Sequence, residues 1–406
     1  MSKPKLLFLS QCFPLPLDGG GKIKTFATLS TLAKKFDIFA VFVSERKAKR
    51  DDLIKLKKLS INCKIFQTNL MFQDVKKDYL KLIWNYLQLR PHFVYQYRYL
   101  PAIEFIKTKI QTWQPQIIHV DHINSSQFLP QKAWLKMNCT KYPYLILENH
   151  NLNHRLFFTR LKQTKKLIRK VYLLLEGSFN WFYGIQNYPR FDHIFAISNQ
   201  ETQYLIQKYS SVSTQPLIYP FEAIKQSQKK VYDLLFIGYL EWPPNQLAIE
   251  WFVNDILPLV VSKTPEVMLH VIGKNNPKID YLSKNCNVVF HGYKKNLDPF
   301  LSQSKIFILP FKTGAGIRIK SLTAIQNGIP IVSTRLGVEG LNLTDKQEYL
   351  EANNKITFAK NIVELLNNQQ LRDKISQKQN KFFAKNYNHE NKQQFLKKYM
   401  MLTNIR

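Results

Sequence analysis

The chain has 406 residues, more than one hydrophobic core comfortably organises, so two domains are expected. Its 45% hydrophobic and 13% aromatic content excludes a disordered chain, and no run of eighteen apolar residues offers a bilayer-spanning helix. The net charge of +31 points to polyanionic partners: nucleic acid, an anionic leaflet, or acidic saccharides and lipids.

The chain opens on "MSKPKLLFLSQCFPLP", a basic tip and a short apolar run without a convincing cleavage site, and Leu6–Leu9 reads as a first strand rather than a signal peptide. Further short apolar runs follow at Ile38–Val43, Ile117–Val120, Tyr144–Leu147 and His193–Ile197. Helical patterns such as Thr25–Lys35 and Asn199–Lys208 lie between them. The stretch "RLFFTRLKQTKKLIRKVYLLL" (155–175) mixes cations with apolar residues at helical spacing, which suits either a core-packed amphipathic helix or one lying on an anionic membrane. The basic segments 46–50 and 55–58 add charge to the same half. The polar "EAIKQSQKK" (222–230) reads as a linker.

A second series has strands near Leu234–Ile237, Val267–Ile272, Val288–Phe290, Ile306–Leu309 and Ile331–Ser333. Asn245, after Pro243 and Pro244, is a candidate helix N-cap, followed by Leu247, Ala248, Trp251, Phe252 and Ile256 on one face. Gly328 and Pro330 punctuate the end of a helix that begins near Lys320. Continuous apolar strands alternating with helices predict an α/β chain with parallel, doubly wound sheets covered on both faces. Cys12, Cys63, Cys139 and Cys286 show neither metal-ligand spacing nor a disulfide framework, so a reducing, cytoplasmic setting is expected.

The most informative stretch is 236–340. Its "PFKTGAGIRIK" places a glycine-rich turn with Arg318 and Lys320 where a helix begins. Exposed N–H groups, the positive end of a helix and two cations suit a phosphate. Gly314 and Gly316 let the backbone approach such a group. In the first half, Gly19, Gly20 and Gly21 follow a strand and a proline-containing loop but lack dinucleotide-fold spacing. Asp121 and His122 lie just past one strand end, and His150 and Asn151 past the next, where open parallel sheets place ligand contacts.

With these residues in hand, the chain resembles the family-4 retaining glycosyltransferases of GT-B architecture. The likeness is carried by "PLPLDGGGKIKTFATLSTLAKKFDI", "QPQIIHVDH", "LENHNLNHRL" and "FDHIFAIS". It continues in "FIGYLEWPPNQLAIEWF" and "PFKTGAGIRIK…NGIPIVSTRLGVEGL", in that order along nearly the whole length. The resemblance implies two Rossmann-like domains facing a cleft. They are an acceptor-binding domain over 1–221, a nucleotide-sugar domain over 231–382, and a helix over 383–406 packing back towards the first. It implies sugar transfer with retention of configuration from a UDP- or GDP-linked donor to a glycan or lipid-linked acceptor, in cell-envelope or polysaccharide biosynthesis. No cofactor and no metal are expected. The setting it implies is cytoplasmic, peripheral on the inner membrane face.

By residue, the resemblance makes Arg318, Lys320, Asp121 and His122 catalytic. It assigns Gly19, Gly20, Gly21, Lys24, Gly238, Gly314, Ala315, Gly316, Ile317 and Thr323 to the donor, and His150 and Asn151 to the acceptor side. The chain departs from the pattern at Ala315 and Thr323, where many relatives hold two glutamates. It departs again near Tyr239 and Asn245, where many carry an arginine and a lysine. Glu339 follows the last strand and has a structural reading. The departures motivate an alternative, a catalytically silent GT-B protein that docks a partner or a polyanionic glycan. Binding of nucleic acid and sugar-nucleotide epimerisation find no supporting motif.

Overall fold

The computed structural model describes residues 3–17, 19–44, 47–68, 79–215, 218–220, 223–227, 229–274, 276–313, 319–387 and 389–404. The chain divides into two compact units: residues 1–218 with 389–406, and residues 219–388.

The first unit holds seven strands: β1 (Lys5–Ser10), β2 (Asp37–Ser44), β3 (Ile61–Gln67), β4 (Ile117–Asp121), β5 (Tyr144–Asn149), β6 (His193–Ala196) and β7 (Val212–Thr214). Their order is β3-β2-β1-β4-β5-β6-β7, and every pairing is parallel. Alternate residues of each strand feed opposite faces. Leu7 and Leu9 join Val41, Ile118 and Leu147 in one core, whereas Leu6 and Phe8 join Phe42, Ile146 and Phe195 in the other. Two buried faces explain the near-continuous apolar strands. The second core is completed by Phe395 and Tyr399 from the helix His389–Asn404, both almost fully buried.

The second unit holds β8 (Tyr232–Ile237), β9 (Leu269–Ile272), β10 (Val288–Phe290), β11 (Ser304–Leu309), β12 (Ile331–Ser333) and β13 (Leu350–Glu351). These are ordered β10-β9-β8-β11-β12-β13, again all parallel. Both sheets are wound outwards in two directions from a central pair, β1 with β4 and β8 with β11. The connections diverge there and leave a crevice at the strands' carboxyl ends.

Several expectations shift. The first helix runs over Gly20–Leu32, not Thr25–Lys35, so the glycines open it: Gly19 caps it in an extended conformation. Asn245 is no N-cap. The helix starts at Pro243 after Trp242, and the Asn245 amide donates to the Tyr239 carbonyl at 2.6 Å. The stretch 155–175 is not one helix. It belongs to two, Asn153–Gln163 and Leu167–Asn187, broken in extended conformation at Thr164. The break lets the helices pack on each other. A Cβ on Gly177 would stand 2.6 Å from the Phe158 ring, so this crossing needs glycine. Phe383 still belongs to the helix Gln369–Asn386 of the second unit, and the helix of the first unit begins at His389.

Candidate active site

In the first unit the site forms at the β1/β4 switch point. Ser10 ends β1 and Asp121 ends β4, and the register places them side by side. Asp121 is 2% exposed. Its Oδ2 accepts from Ser10 Oγ at 2.7 Å and Thr25 Oγ1 at 2.8 Å, and its Oδ1 lies 2.7 Å from His150 Nε2. Burial pushes the Asp121 carboxyl up, but His150 and the two hydroxyls outweigh it, so the group sits below its ordinary range and stays a carboxylate.

Beside it is a second buried acid that sequence reasoning missed. Glu148 lies within β5 and is fully buried. Its Oε1 faces Lys24 Nζ at 3.1 Å and accepts from Thr28 Oγ1 at 3.0 Å, and its Oε2 lies 3.1 Å from His119 Nε2. The other ring nitrogen of His119 meets Tyr399 OH at 2.9 Å. Burial raises the Glu148 pKa, but Lys24 and His119 hold it at about 2. The missed signal was an acid inside the apolar run "YLILE" and a lysine inside an apolar helix. Buried charges of opposite sign require each other.

Lys24, expected at the donor, is buried and committed to Glu148. His122 has a positive φ of 71°, and its Nδ1 accepts from the Asn124 N–H at 3.1 Å. Burial, then His150 and Lys24, push its pKa down to about 3. The ring is therefore neutral near pH 7, with the proton on Nε2. A Cβ on Gly21 would lie 3.9 Å from His150 Nδ1, so the helix opening, Asp121 and His150 are one neighbourhood. Asn151 contributes its carbonyl to the Asn149 amide at 3.1 Å. One ligand atom each from Asp121, Glu148 and His150 fall within 4.8 Å of one another, the spacing of a metal-ligand set. The Lys24 ammonium and the Thr28 hydroxyl already occupy Glu148 Oε1, and the Ser10 and Thr25 hydroxyls occupy Asp121 Oδ2, while Asp121 Oδ1 faces the His150 ring.

In the second unit the corresponding place is the β8/β11 switch point. Gly314, Ala315, Gly316, Ile317 and Arg318 lie outside the described residues. Lys320 stands in the first turn of the helix Ile319–Gln326. Its Nζ donates to Asn245 Oδ1 at 2.8 Å and lies 5.2 and 5.5 Å from the ring centres of Phe236 and Phe311. These are cation–π distances, and they fix the ammonium against an apolar wall. Gly238 follows β8, and a Cβ there would come within 2.7 Å of Lys320 Nζ and 2.9 Å of Phe236. The glycine is what lets the ammonium sit over the end of β8. Thr323 hydrogen-bonds Tyr219 OH at 2.5 Å, and Tyr219 is 3% exposed. Glu339 lies just past the short helical turn Arg335–Val338 that follows β12.

A family model described as "Glycosyl transferases group 1" matches residues 231–368. The match lies within the second unit and spans most of it. The chain is also 26% identical over 245 residues to an uncharacterized 44.6 kDa protein in the cps region of Klebsiella pneumoniae. That match covers 55% of this chain and 63% of the relative's length.

Among solved structures, TarM of S. aureus matches at a TM-score of 0.67 and 14% identity, over 99% of this chain and 100% of that one, in a complex with fondaparinux, α-GlcNAc-glycerol and UDP. Anabaena HepE with UDP and glucose matches at 0.64 and 12%, over 98% and 99% of the two chains. Sucrose-phosphate synthase of Thermosynechococcus elongatus matches at 0.68 and 12%, over the full length of both. At such identities these likenesses establish the fold, which is that of the GT-B glycosyltransferases.

Proposed function

We propose that the protein is a retaining glycosyltransferase that moves a sugar from a UDP- or GDP-sugar to a glycan or lipid-linked acceptor in polysaccharide or cell-envelope biosynthesis. One observation carries this reading. Within the stretch that matches the group 1 glycosyltransferase model, an ammonium is fixed over a glycine strand end at the sheet's switch point. As the glycosidic bond breaks, the leaving nucleoside diphosphate gains charge. Lys320, already oriented by Asn245 and by two aromatic rings, would meet that charge without reorganising, which is where electrostatic catalysis gains most. Arg318 is proposed as its partner. UDP bound to TarM and to HepE, and the cps-region setting of the Klebsiella relative, support the donor and the pathway class.

In the first unit, Asp121 would orient His150, and neutral His122 would offer its Nε2–H to a sugar hydroxyl. Asn151 is proposed for the acceptor side and Gly19–Gly21 for the approach of the donor phosphates. With fixed cations facing the diphosphate, the reaction is proposed to need no metal.

Membrane attachment is part of the proposal. Leu167 and Ile168 are 75% and 88% exposed, and Val171, Leu174 and Leu175 are exposed too, interleaved with Lys165, Lys166, Arg169 and Lys170. An apolar face flanked by cations suits an anionic bilayer surface. Among the described residues no helix is long and apolar enough to cross a membrane.

The test is turnover. Purified protein with UDP- and GDP-sugars should release nucleotide and form an α- or β-product matching the donor's configuration, and Lys320→Ala should lower kcat/KM by about 10²–10³-fold. Absence of both binding and turnover with every nucleotide sugar would sink the proposal. Thr323 carries a second reading: its hydroxyl is engaged by Tyr219, where many relatives hold a glutamate, which fits a silent binding protein. Measurable native turnover excludes that reading.

A further inference from the structure

A cavity of about 420 Å³ lies in the first unit, between the segment Arg90–Ile103, the residues after the turn Ile123–Phe128, and the end of the helix Leu167–Asn187. None of its lining residues belongs to the Asp121–Glu148 network. Three of them are arginines, Arg90, Arg98 and Arg190, and among the described residues no carboxylate lines the space. Arg190 is held rigidly: one terminal nitrogen donates to the Ser126 carbonyl and Asn187 Oδ1 at 3.2 and 2.7 Å, the other to the Leu129 and Pro130 carbonyls at 2.6 and 3.1 Å. All four acceptors are neutral. Its Nε is buried without a hydrogen-bond partner, as is Gln127 Oε1. Burial pushes the Arg190 pKa down, as expected for a charge short of a counter-ion.

The rest of the lining is mixed. Amide groups of Gln127, Gln131 and Gln186 alternate with the apolar surfaces of Val94, Ile103 and Leu129. Amides match hydroxyl groups, apolar patches match the C–H face of a sugar ring, and a guanidinium pairs with a planar or tetrahedral oxyanion. The volume is within the range of small-molecule sites and admits a single ring with its substituent.

We propose that this cavity binds an anionic sugar, with its phosphate or carboxylate held by the Arg90 and Arg98 guanidinium groups beside the fixed charge of Arg190, and its hydroxyls on the glutamine amides. The site is separate from the nucleotide site proposed in the second unit, so the two readings stand or fall independently.

Calorimetric titration of the full chain with glucose 6-phosphate, glucuronate, inorganic phosphate and glucose tests it. Glucose 6-phosphate or glucuronate should bind, and glucose should not. A stronger sugar phosphate identifies a phosphorylated ligand; a stronger glucuronate identifies an acidic glycan residue. Arg90→Gln and Arg98→Gln should each weaken binding about tenfold, the usual cost of one charge-assisted contact. Lys320→Ala should leave it unchanged. Neither the Arg90 nor the Arg98 side chain hydrogen-bonds another described residue, so both variants should keep the parent melting temperature. The proposal is overturned if no sugar anion binds, if inorganic phosphate binds as tightly as the sugar anions, if the Arg90 and Arg98 variants bind unchanged, or if Lys320→Ala abolishes binding.

Discussion

Replacing Glu148 by alanine should be among the most damaging single changes in the first unit. Glu148 is fully buried and Lys24 is 3% exposed, with 3.1 Å between Nζ and Oε1. At an effective dielectric constant of ~20, that separation corresponds to about 5 kcal/mol of attraction. The substitution strands the Lys24 ammonium in an apolar surround and removes a partner of His119 and Thr28. Breaking one side of a buried pair typically costs about 3–5 kcal/mol. For a unit of this size that lowers the melting temperature by roughly 10 °C or more.

The assay is urea or thermal unfolding followed by circular dichroism, with the double variant Lys24→Met/Glu148→Leu as the counterpart. Removing both charges should recover much of the loss, because the penalty arises from the orphaned ion rather than from the missing attraction. If Glu148→Ala melts within about 2 °C of the parent, or if the double variant is worse than the single one, the reasoning about a buried pair is wrong.

Gly238→Ala should displace the Lys320 ammonium, because the new Cβ would lie 2.7 Å from it, and should weaken nucleotide-sugar binding about tenfold or more while the melting temperature falls modestly; equal binding by calorimetry would refute the role of the close approach. Stability should decline as pH falls below about 6.5: the folded-state pKa values of His122, His154 and His193 are lowered, to about 3, 4 and 4, so between those values and the ordinary 6.5 the unfolded chain binds more protons. Glu148, held at about 2 against an ordinary 4.5, adds a second loss between those two values; a melting temperature flat from pH 7 to 4.5 would contradict the histidine contribution, and one flat from pH 4.5 to 2 that of Glu148. Leu167→Glu/Ile168→Glu should cut co-sedimentation with anionic vesicles about tenfold or more without altering turnover of a soluble acceptor; unchanged vesicle binding would remove this helix as the attachment face.

The central strands were legible because burial on both faces writes them as unbroken apolar runs, as in "LLFL" and "LLFI". Of the edge strands, β10 was read at Val288–Phe290, but the other three were not. β3 reads "INCKIFQ" with only Ile61 fully buried, and β7 and β13 span three and two residues. A strand paired on one side and half-solvated lacks that signature. The switch-point residues Asp121, His150 and Lys320 could be found from position alone, because parallel sheets present ligand groups at carboxyl ends. Their partners could not. Tyr399 lies 280 positions from His119, and Asn245 lies 75 from Lys320, separations that no local pattern encodes. The break at Thr164 went unread for a similar reason: the helical spacing continues across it, and only the tertiary contact of Phe158 with Gly177 selects two helices.

The helix His389–Asn404 has a consequence for how the molecule can be made and divided. Phe395 and Tyr399 fill the core of the unit whose other residues were translated first, and the Tyr399 hydroxyl anchors His119 beside the buried carboxylate. The amino-terminal unit therefore reaches its final packing only after the other unit has left the ribosome. A fragment cut at residue 218 would expose an aromatic-lined trough, and a premature stop codon a few residues before Phe395 would injure the earliest-made part of the protein rather than the part it truncates.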